Sequence, residues 1–331
     1  MSPSPTVPAN VESLFPAIQS DLDLIEVRLR QVVHSRLAVV PEVYLHTVEA
    51  GGKRIRPALT LLCARLMGGI GPTTYDRAVA VELIHLASLL HDDVVDNSDM
   101  RRARMTANRI WGNKNAVLVA DFAQATAVHL LARVCDIETI ANLSVTVVRM
   151  AEGELCQVYH EGSVDVDEDL YYRMIGDKTA SLLALAARLG AEGADGDERA
   201  IAVCETYGEK LGLAFQVVDD LLDLTGDEET IGKPVGSDVR CGRLTLAPIH
   251  ALRQGDAAAE RVRDLVCAKD PTQLDLPALR AVLEASGSID YARRAAERLA
   301  AEAVDCLADY AGQVERDALV TLAEYVIART K

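Results

Sequence analysis

Apolar residues recur at i, i+3, i+4 and i+7 along nearly the whole chain, and no convincing run alternates with the two-residue period of a strand. This periodicity predicts an all-α protein. Helices are expected over about 10–34, 41–49, 56–68, 75–98, 113–134, 137–161, 167–189, 197–224, 242–253, 257–268, 275–285, 288–312 and 315–329. Breakers stand between them: Gly68-Gly69-Ile70-Gly71-Pro72, the stretch from Gly190 to Gly196, Thr225-Gly226-Asp227, and Gly232 to Gly236. No Pro/Gly/Ser-rich linker or composition break divides the 331 residues. The chain therefore reads as a single domain over 1–331, with 1–9 a flexible N-terminal extension. Half of the residues are apolar and only 4% are aromatic, which suits a tightly packed core of Ala, Leu and Val.

Two of these apolar stretches carry the same acidic pattern. His91-Asp92-Asp93-Val94-Val95-Asp96 and Gln216-Val217-Val218-Asp219-Asp220-Leu221-Leu222-Asp223 each contain a D-D-x-x-D. On a helix, positions four apart share a face, so Asp92 and Asp96 point the same way, as do Asp219 and Asp223. In the second motif Gln216, Asp219, Asp220 and Asp223 form one polar stripe, flanked by Phe215, Val217, Val218, Leu221 and Leu222. Carboxylates in such surroundings cost too much unless they are paired or metal-bound. Clustered hard oxygen ligands suit Mg²⁺, which is usually held by a few carboxylates together with a substrate's phosphates. Two such clusters facing each other would grip a diphosphate through bridging ions.

The formal net charge of −16 argues against nucleic acid or an anionic bilayer as a general partner. An anionic ligand must then be met by local basic clusters, and the sequence supplies several. The first acidic motif runs directly into Asn97-Ser98-Asp99-Met100-Arg101-Arg102-Ala103-Arg104. Upstream, Gly51-Gly52-Lys53-Arg54-Ile55-Arg56-Pro57 combines cations with glycines that let a ligand approach the backbone. Lys178-Thr179 sits within an apolar helical stretch, where the alternative is a snorkelling lysine beside a capping threonine. Gly232-Lys233-Pro234 and Cys241-Gly242-Arg243 add basic positions in loops that could close over phosphates. The seven cysteines are scattered, with no C-x-x-C, which indicates neither zinc nor a disulfide framework and fits a reducing cytoplasm. No signal-peptide pattern and no stretch of about 18 uninterrupted apolar residues is found, so a soluble protein without a transmembrane segment is expected.

Taken together, these residues resemble the all-trans polyprenyl diphosphate synthases of the isoprenoid chain-elongation family, and within it the long-chain type. The likeness runs from Gly51-Gly52-Lys53-Arg54-Ile55-Arg56-Pro57 through both aspartate motifs to Leu244-Thr245-Leu246. Lys178-Thr179-Ala180 and Gly212-Leu213-Ala214-Phe215-Gln216 fall in the family's order between them. The resemblance implies a bundle of long helices around a central cavity, a homodimer, and Mg²⁺ used to ionise an allylic diphosphate that isopentenyl diphosphate then attacks. It assigns the metals to Asp92, Asp93, Asp96, Asp219, Asp220 and Asp223. It assigns the allylic diphosphate to Arg101, Lys178, Thr179, Gln216 and Lys233, with Arg243 a further loop contact. Gly52, Lys53, Arg56, His85 and Arg102 resemble the isopentenyl diphosphate pocket. Three positions depart from the usual pattern. Ala103 follows the paired arginines and Ala120 precedes Asp121, both where glycine is usual. Cys241-Gly242-Arg243 replaces a common glutamate-glycine-lysine, so the charge is kept without the compact ammonium.

Product length is expected to be set just N-terminal to the first motif, in Ile84-His85-Leu86-Ala87-Ser88-Leu89-Leu90. Ala87 and Ser88 are small where short-chain relatives carry aromatic residues, which implies a deeper tunnel; close helix packing is the alternative reason for small residues here. A medium or long all-trans product is expected, with a quinone side-chain precursor as the preferred class. Three other readings stay open: a short-chain synthase, a class I terpene cyclase, and the non-catalytic subunit of a heteromeric synthase. A cyclase needs no isopentenyl pocket, and a non-catalytic subunit would carry degraded aspartates.

Overall fold

A computed structural model of the protein describes residues 15–102, 104–226, 235–267 and 274–328. The expected N-terminal extension at 1–9, Ala103 and Lys233 lie outside the described residues. The fold is all-α. Its helices are α1 (Gln19–Val32), α2 (Val39–Glu49), α3 (Ile55–Leu66), α4 (Thr74–Val95), α5 (Ala107–Trp111), α6 (Asn113–Ala132), α7 (Ile137–Tyr159) and α8 (Glu168–Ile175). They continue as α9 (Ser181–Glu192), α10 (Glu198–Thr225), α11 (Ser237–Arg240), α12 (Leu246–Arg253), α13 (Ala257–Val266), α14 (Leu276–Ala285), α15 (Ser288–Cys306) and α16 (Val314–Ala328).

The chain gathers into two compact units, each made of non-contiguous stretches. The first comprises Met1–Val145, Leu182–Gly208 and Leu307–Leu322; the second comprises Thr146–Ser181, Glu209–Cys306 and Ala323–Lys331. In the first unit α4 packs against α6 and α3, and Leu59, Leu61, Leu83, Leu86, Leu90 and Leu131 are fully buried. Each such leucine contributes about 2 kcal/mol relative to an exposed one. A polar tie locks α3 beneath α9: Thr60 Oγ1 donates to the Ala186 carbonyl at 2.9 Å. In the second unit α12 packs against α13 and α15. Aspartate caps fix several starts, with Asp167 accepting from Leu170 N, Asp256 from Ala258 N and Ala259 N, and Asp275 from Ala278 N.

Local structure departs from the expected helices at several places, and three of them hold proposed site residues. The helix expected to run to 98 stops at Val95, and Met100–Arg101 pairs antiparallel with Arg104–Met105 in a two-residue hairpin whose turn takes Arg102 to φ 51°. The expected helix 167–189 is interrupted: between α8 and α9, Gly176–Ala180 forms one π turn. The helix expected from 242 begins at Leu246, and Cys241–Arg243 form the bend before it, with Gly242 at φ 75°.

Candidate active site

In the first unit the aspartates of the first motif occupy the C-terminal end of α4, where the helix dipole presents negative charge. Carboxylates are least welcome there without a cation. Asp93 is buried, while Asp92 and Asp96 are half-buried. Burial pushes the Asp93 carboxyl above its usual range, and Arg101, whose Nε donates to Asp93 Oδ1 at 2.8 Å, pulls it back. The Asp93 carbonyl accepts from Ser98 N at 2.9 Å and from Asn108 Nδ2 at 3.1 Å, which pins the helix end to the hairpin that carries Arg101 and Arg102.

The basic residues upstream form a second cluster in the same unit. Arg54 is not a ligand candidate but a buried strut, held at φ 48° between Glu26 and Glu82, whose carboxylates raise its pKa although burial acts the other way. Its position explains Gly52: a Cβ there would stand 3.1 Å from Arg102 Nη1 and 3.2 Å from Arg54 Nη1. Burial draws Arg102 downward, and Arg101 and Arg54 add to the shift. His85, about two turns before Asp92 on α4, is held neutral first by burial and then by Arg56, Arg102, Arg101 and Arg54. A neutral imidazole beside crowded guanidiniums is a place prepared for an anion. Ile84 and Ala87 are buried in the apolar body of α4, and Ser88 Oγ donates back to the His85 carbonyl at 2.9 Å.

In the second unit a pocket is lined by Lys178, Thr179, Gln216, Asp220, Asp238 and Arg243, with Tyr171 and Met174 among its walls. The π turn supplies Lys178 and Thr179. Its backbone is gripped between glycines on both sides. A Cβ on Gly153 of α7 would fall 2.5 Å from Lys178 N, and one on Gly212 of α10 would fall 2.6 Å from Ala180 Cα. From this turn a relay runs inward: Thr179 Oγ1 donates to Gln216 Oε1 at 2.8 Å, and Gln216 Nε2 donates to Asp220 Oδ1 at 2.8 Å. Tyr171 Oη donates to the other Asp220 oxygen at 2.7 Å. Burial and then the facing Asp238 push Asp220 up to about 8, against the pull of the Tyr171 and Gln216 hydrogen bonds. The second motif, like the first, lies at a helix C-terminus, in the last two turns of α10. Asp219 is half-buried there.

The pocket's cations are held by Glu154 and Gln157, one turn apart on α7, and by Glu161 in the turn that follows it. Lys178 is paired with Glu154, Arg243 Nη2 meets Glu161 Oε1 at 2.8 Å, and the Gln157 amide lies between Lys178 and Arg243. Sequence reasoning did not single out Tyr171, Glu154, Gln157 or Asp238. The i, i+7 spacings of Tyr171 to Lys178 and of Glu154 to Glu161 were the available signals. No group of three or more His, Cys, Asp or Glu side chains among the described residues forms a ready-made metal cage. The donors of both motifs are carboxylate oxygens alone, so a hard cation there needs further oxygens from a ligand.

A family model described as polyprenyl synthetase matches residues 38–282, and the chain belongs to that family. It is 34% identical over 323 residues to the octaprenyl diphosphate synthase of Escherichia coli (strain K12), covering 97% of this chain and 100% of the relative. Among solved structures, a decaprenyl diphosphate synthase from Rhodobacter capsulatus superposes with a TM-score of 0.90 at 37% identity, covering 97% of this chain and 99% of that one. A polyprenyl synthase from Caulobacter crescentus CB15, complexed with calcium and isoprenyl diphosphate, superposes with a TM-score of 0.91 at 35% identity, covering 97% and 98% of the two chains.

Proposed function

We propose that this chain is a trans-prenyltransferase that joins isopentenyl diphosphate head-to-tail to an allylic diphosphate and repeats the step to a medium or long all-trans polyprenyl diphosphate. The observation that carries this reading is a pair of D-D-x-x-D triads at helix C-termini, each in a compact unit that also holds a cluster of diphosphate-competent donors. All-oxygen donors at negative helix ends fit Mg²⁺, and Asp92, Asp93, Asp96, Asp219 and Asp220 would hold it. When bound, Mg²⁺ supplies neutralisation of the leaving diphosphate. Lys178, Thr179, Gln216 and Arg243 orient the allylic diphosphate, the two cations exchanging Glu154 and Glu161 for phosphate oxygens. Lys53, Arg56, Arg102 and neutral His85, with Gly52 leaving room, hold isopentenyl diphosphate so that its double bond can attack the allylic cation. No protein nucleophile is required, and the released diphosphate takes the proton.

The small side chains of Ala87 and Ser88 favour a long product, in keeping with a quinone side-chain precursor. A terpene cyclase has no use for the cluster around Arg102 and His85, and a non-catalytic subunit has no use for two whole aspartate motifs. The decisive test incubates the purified chain with each allylic primer and Mg²⁺, with and without isopentenyl diphosphate, and separates products by chromatography. Elongated prenyl diphosphates that require both isopentenyl diphosphate and Mg²⁺ are expected. Hydrocarbon made from the primer alone would establish a cyclase, and no turnover by the lone chain would favour the subunit reading.

The protein also acts as a homodimer in this proposal. Leu118 of α6 is 64% exposed, and α7 exposes Val145, Val148 and Leu155 at 58, 53 and 67%. α6 is long and apolar enough to cross a membrane, and exposed apolar residues of this kind suit burial against a second copy of the chain.

A further inference from the structure

Asp220 and Asp223 both have their two carboxylate oxygens hydrogen-bonded, but Asp220 is held by Gln216 and Tyr171 within the pocket and Asp223 by the segment after α10. Asp223 is 2% exposed, and both of its carboxylate oxygens are taken by the chain that follows α10. Oδ1 accepts from Ser237 Oγ at 2.8 Å and Oδ2 accepts from the backbone N–H of Asp238 at 3.0 Å. The Asp223 carbonyl accepts from Gly236 N at 2.7 Å, so three bonds from one residue tie the end of α10 to the start of α11. Gly236 makes the approach possible. Its φ is 73°, and a Cβ there would meet Leu276 at 2.9 Å. The tie propagates through the Asp238 carbonyl, which accepts from Arg243 N at 2.8 Å and closes the bend that presents Arg243, Leu244 and Thr245. Asp238 and those three residues line the pocket together with Lys178, Gln216 and Asp220, whereas neither Asp219 nor Asp223 lines it, so the distinction of Asp223 is its hydrogen bonding to the 236–238 backbone and Ser237.

We propose that Asp223 is a positioning residue: it clamps the 236–245 wall of the pocket to α10 and is not a metal ligand. The inference rests on the Mg²⁺-dependent reading above for its contrast with Asp219. The chemistry of the two roles separates cleanly in one substitution. In Asp223→Asn the amide oxygen still accepts from the Asp238 N–H and the NH₂ can donate to Ser237 Oγ, so a clamp survives while a metal ligand loses its charge. Asp223→Ala removes both hydrogen bonds and leaves the half-buried Asp238 N–H without this acceptor.

Two measurements decide it. Backbone hydrogen exchange of the metal-free protein is expected to show faster exchange across 237–243 in Asp223→Ala and wild-type protection in Asp223→Asn; unchanged protection in Asp223→Ala overturns the clamp. Calorimetric titration with Mg²⁺ and inorganic diphosphate is expected to show Asp219→Asn weakened about 100-fold and Asp223→Asn within about threefold of wild type, set against the 10–100-fold that even an outer partner of a metal can cost. Equal loss in the two Asn variants overturns the proposal. Should wild-type protein bind no diphosphate with Mg²⁺, the metal reading fails and the exchange measurement still decides the clamp. In turnover, Asp223→Ala is expected to raise the allylic KM more than it lowers kcat, with Asp223→Asn restoring it; a loss confined to kcat and shared by Asp223→Asn contradicts a positioning role.

Discussion

At the residue scale, the site depends as much on missing side chains as on charged ones. Gly52 is exposed and carries no unusual φ, yet a methyl group there would press on two guanidiniums. Gly52→Ala is therefore expected to displace Arg102 and raise the KM for isopentenyl diphosphate about tenfold, the equivalent of one charge-assisted hydrogen bond. The primer KM should stay near wild type, and steady-state kinetics with each substrate varied in turn checks the split. His85 gives a pH dependence of known sign. Its folded-state pKa lies below the ordinary value of about 6.5. The unfolded chain therefore binds the proton first as pH falls, and stability drops below pH 6.5 by up to about 1.4 kcal/mol per unit from this group. Denaturant unfolding of the metal-free protein between pH 7 and 5 should show that slope reduced in His85→Asn. The ligand-type residues were legible in the sequence because acidic and basic groups in apolar runs demand an explanation. Their partners were not. Tyr171 reads as an ordinary aromatic on an amphipathic helix, and nothing local reveals that its hydroxyl meets an aspartate 49 positions away.

At the scale of elements, long helices such as α4, α7 and α10 were legible because their apolar period is sustained over many turns. The interruptions were not, since two-residue strands and a single π turn carry no periodic signal, and they bear Arg101, Lys178 and Thr179. α4 is the element on which product length is expected to be read. A helix rises about 5.4 Å per turn, roughly one extended isoprene unit. Ser88 lies one turn before Asp92, and Ala87 is buried beside it. Ala87→Tyr, and more strongly Ala87→Tyr with Ser88→Phe, should shorten the product to about three or four units on this geometry while the first condensation changes little. Chromatography of the dephosphorylated products checks it. A wild type that already stops at that length, or a double variant that still makes the wild-type product, contradicts the tunnel.

At the scale of the whole molecule, the proposed dimer is expected to open when charge is placed on the exposed apolar residues of α6 and α7. Leu118→Glu with Val148→Glu should lower the mass seen by light scattering from two chains to one, since like charges would meet across a two-fold interface. An unchanged mass would place the interface elsewhere. The π turn at Gly176–Ala180 has a further consequence. An α-helix advances about 100° per residue, so the one extra residue in this turn acts as a phase shift that aims α8 and α9 independently. Deleting a single residue there would let the backbone fall back into regular α-helix and satisfy its ladder better. The rest of the helix would then be turned out of step with Gly153 and Gly212. Selection for thermal stability alone would reward that repair, so this fold must be kept from its own most comfortable register by the demand that a lysine and a threonine face the pocket.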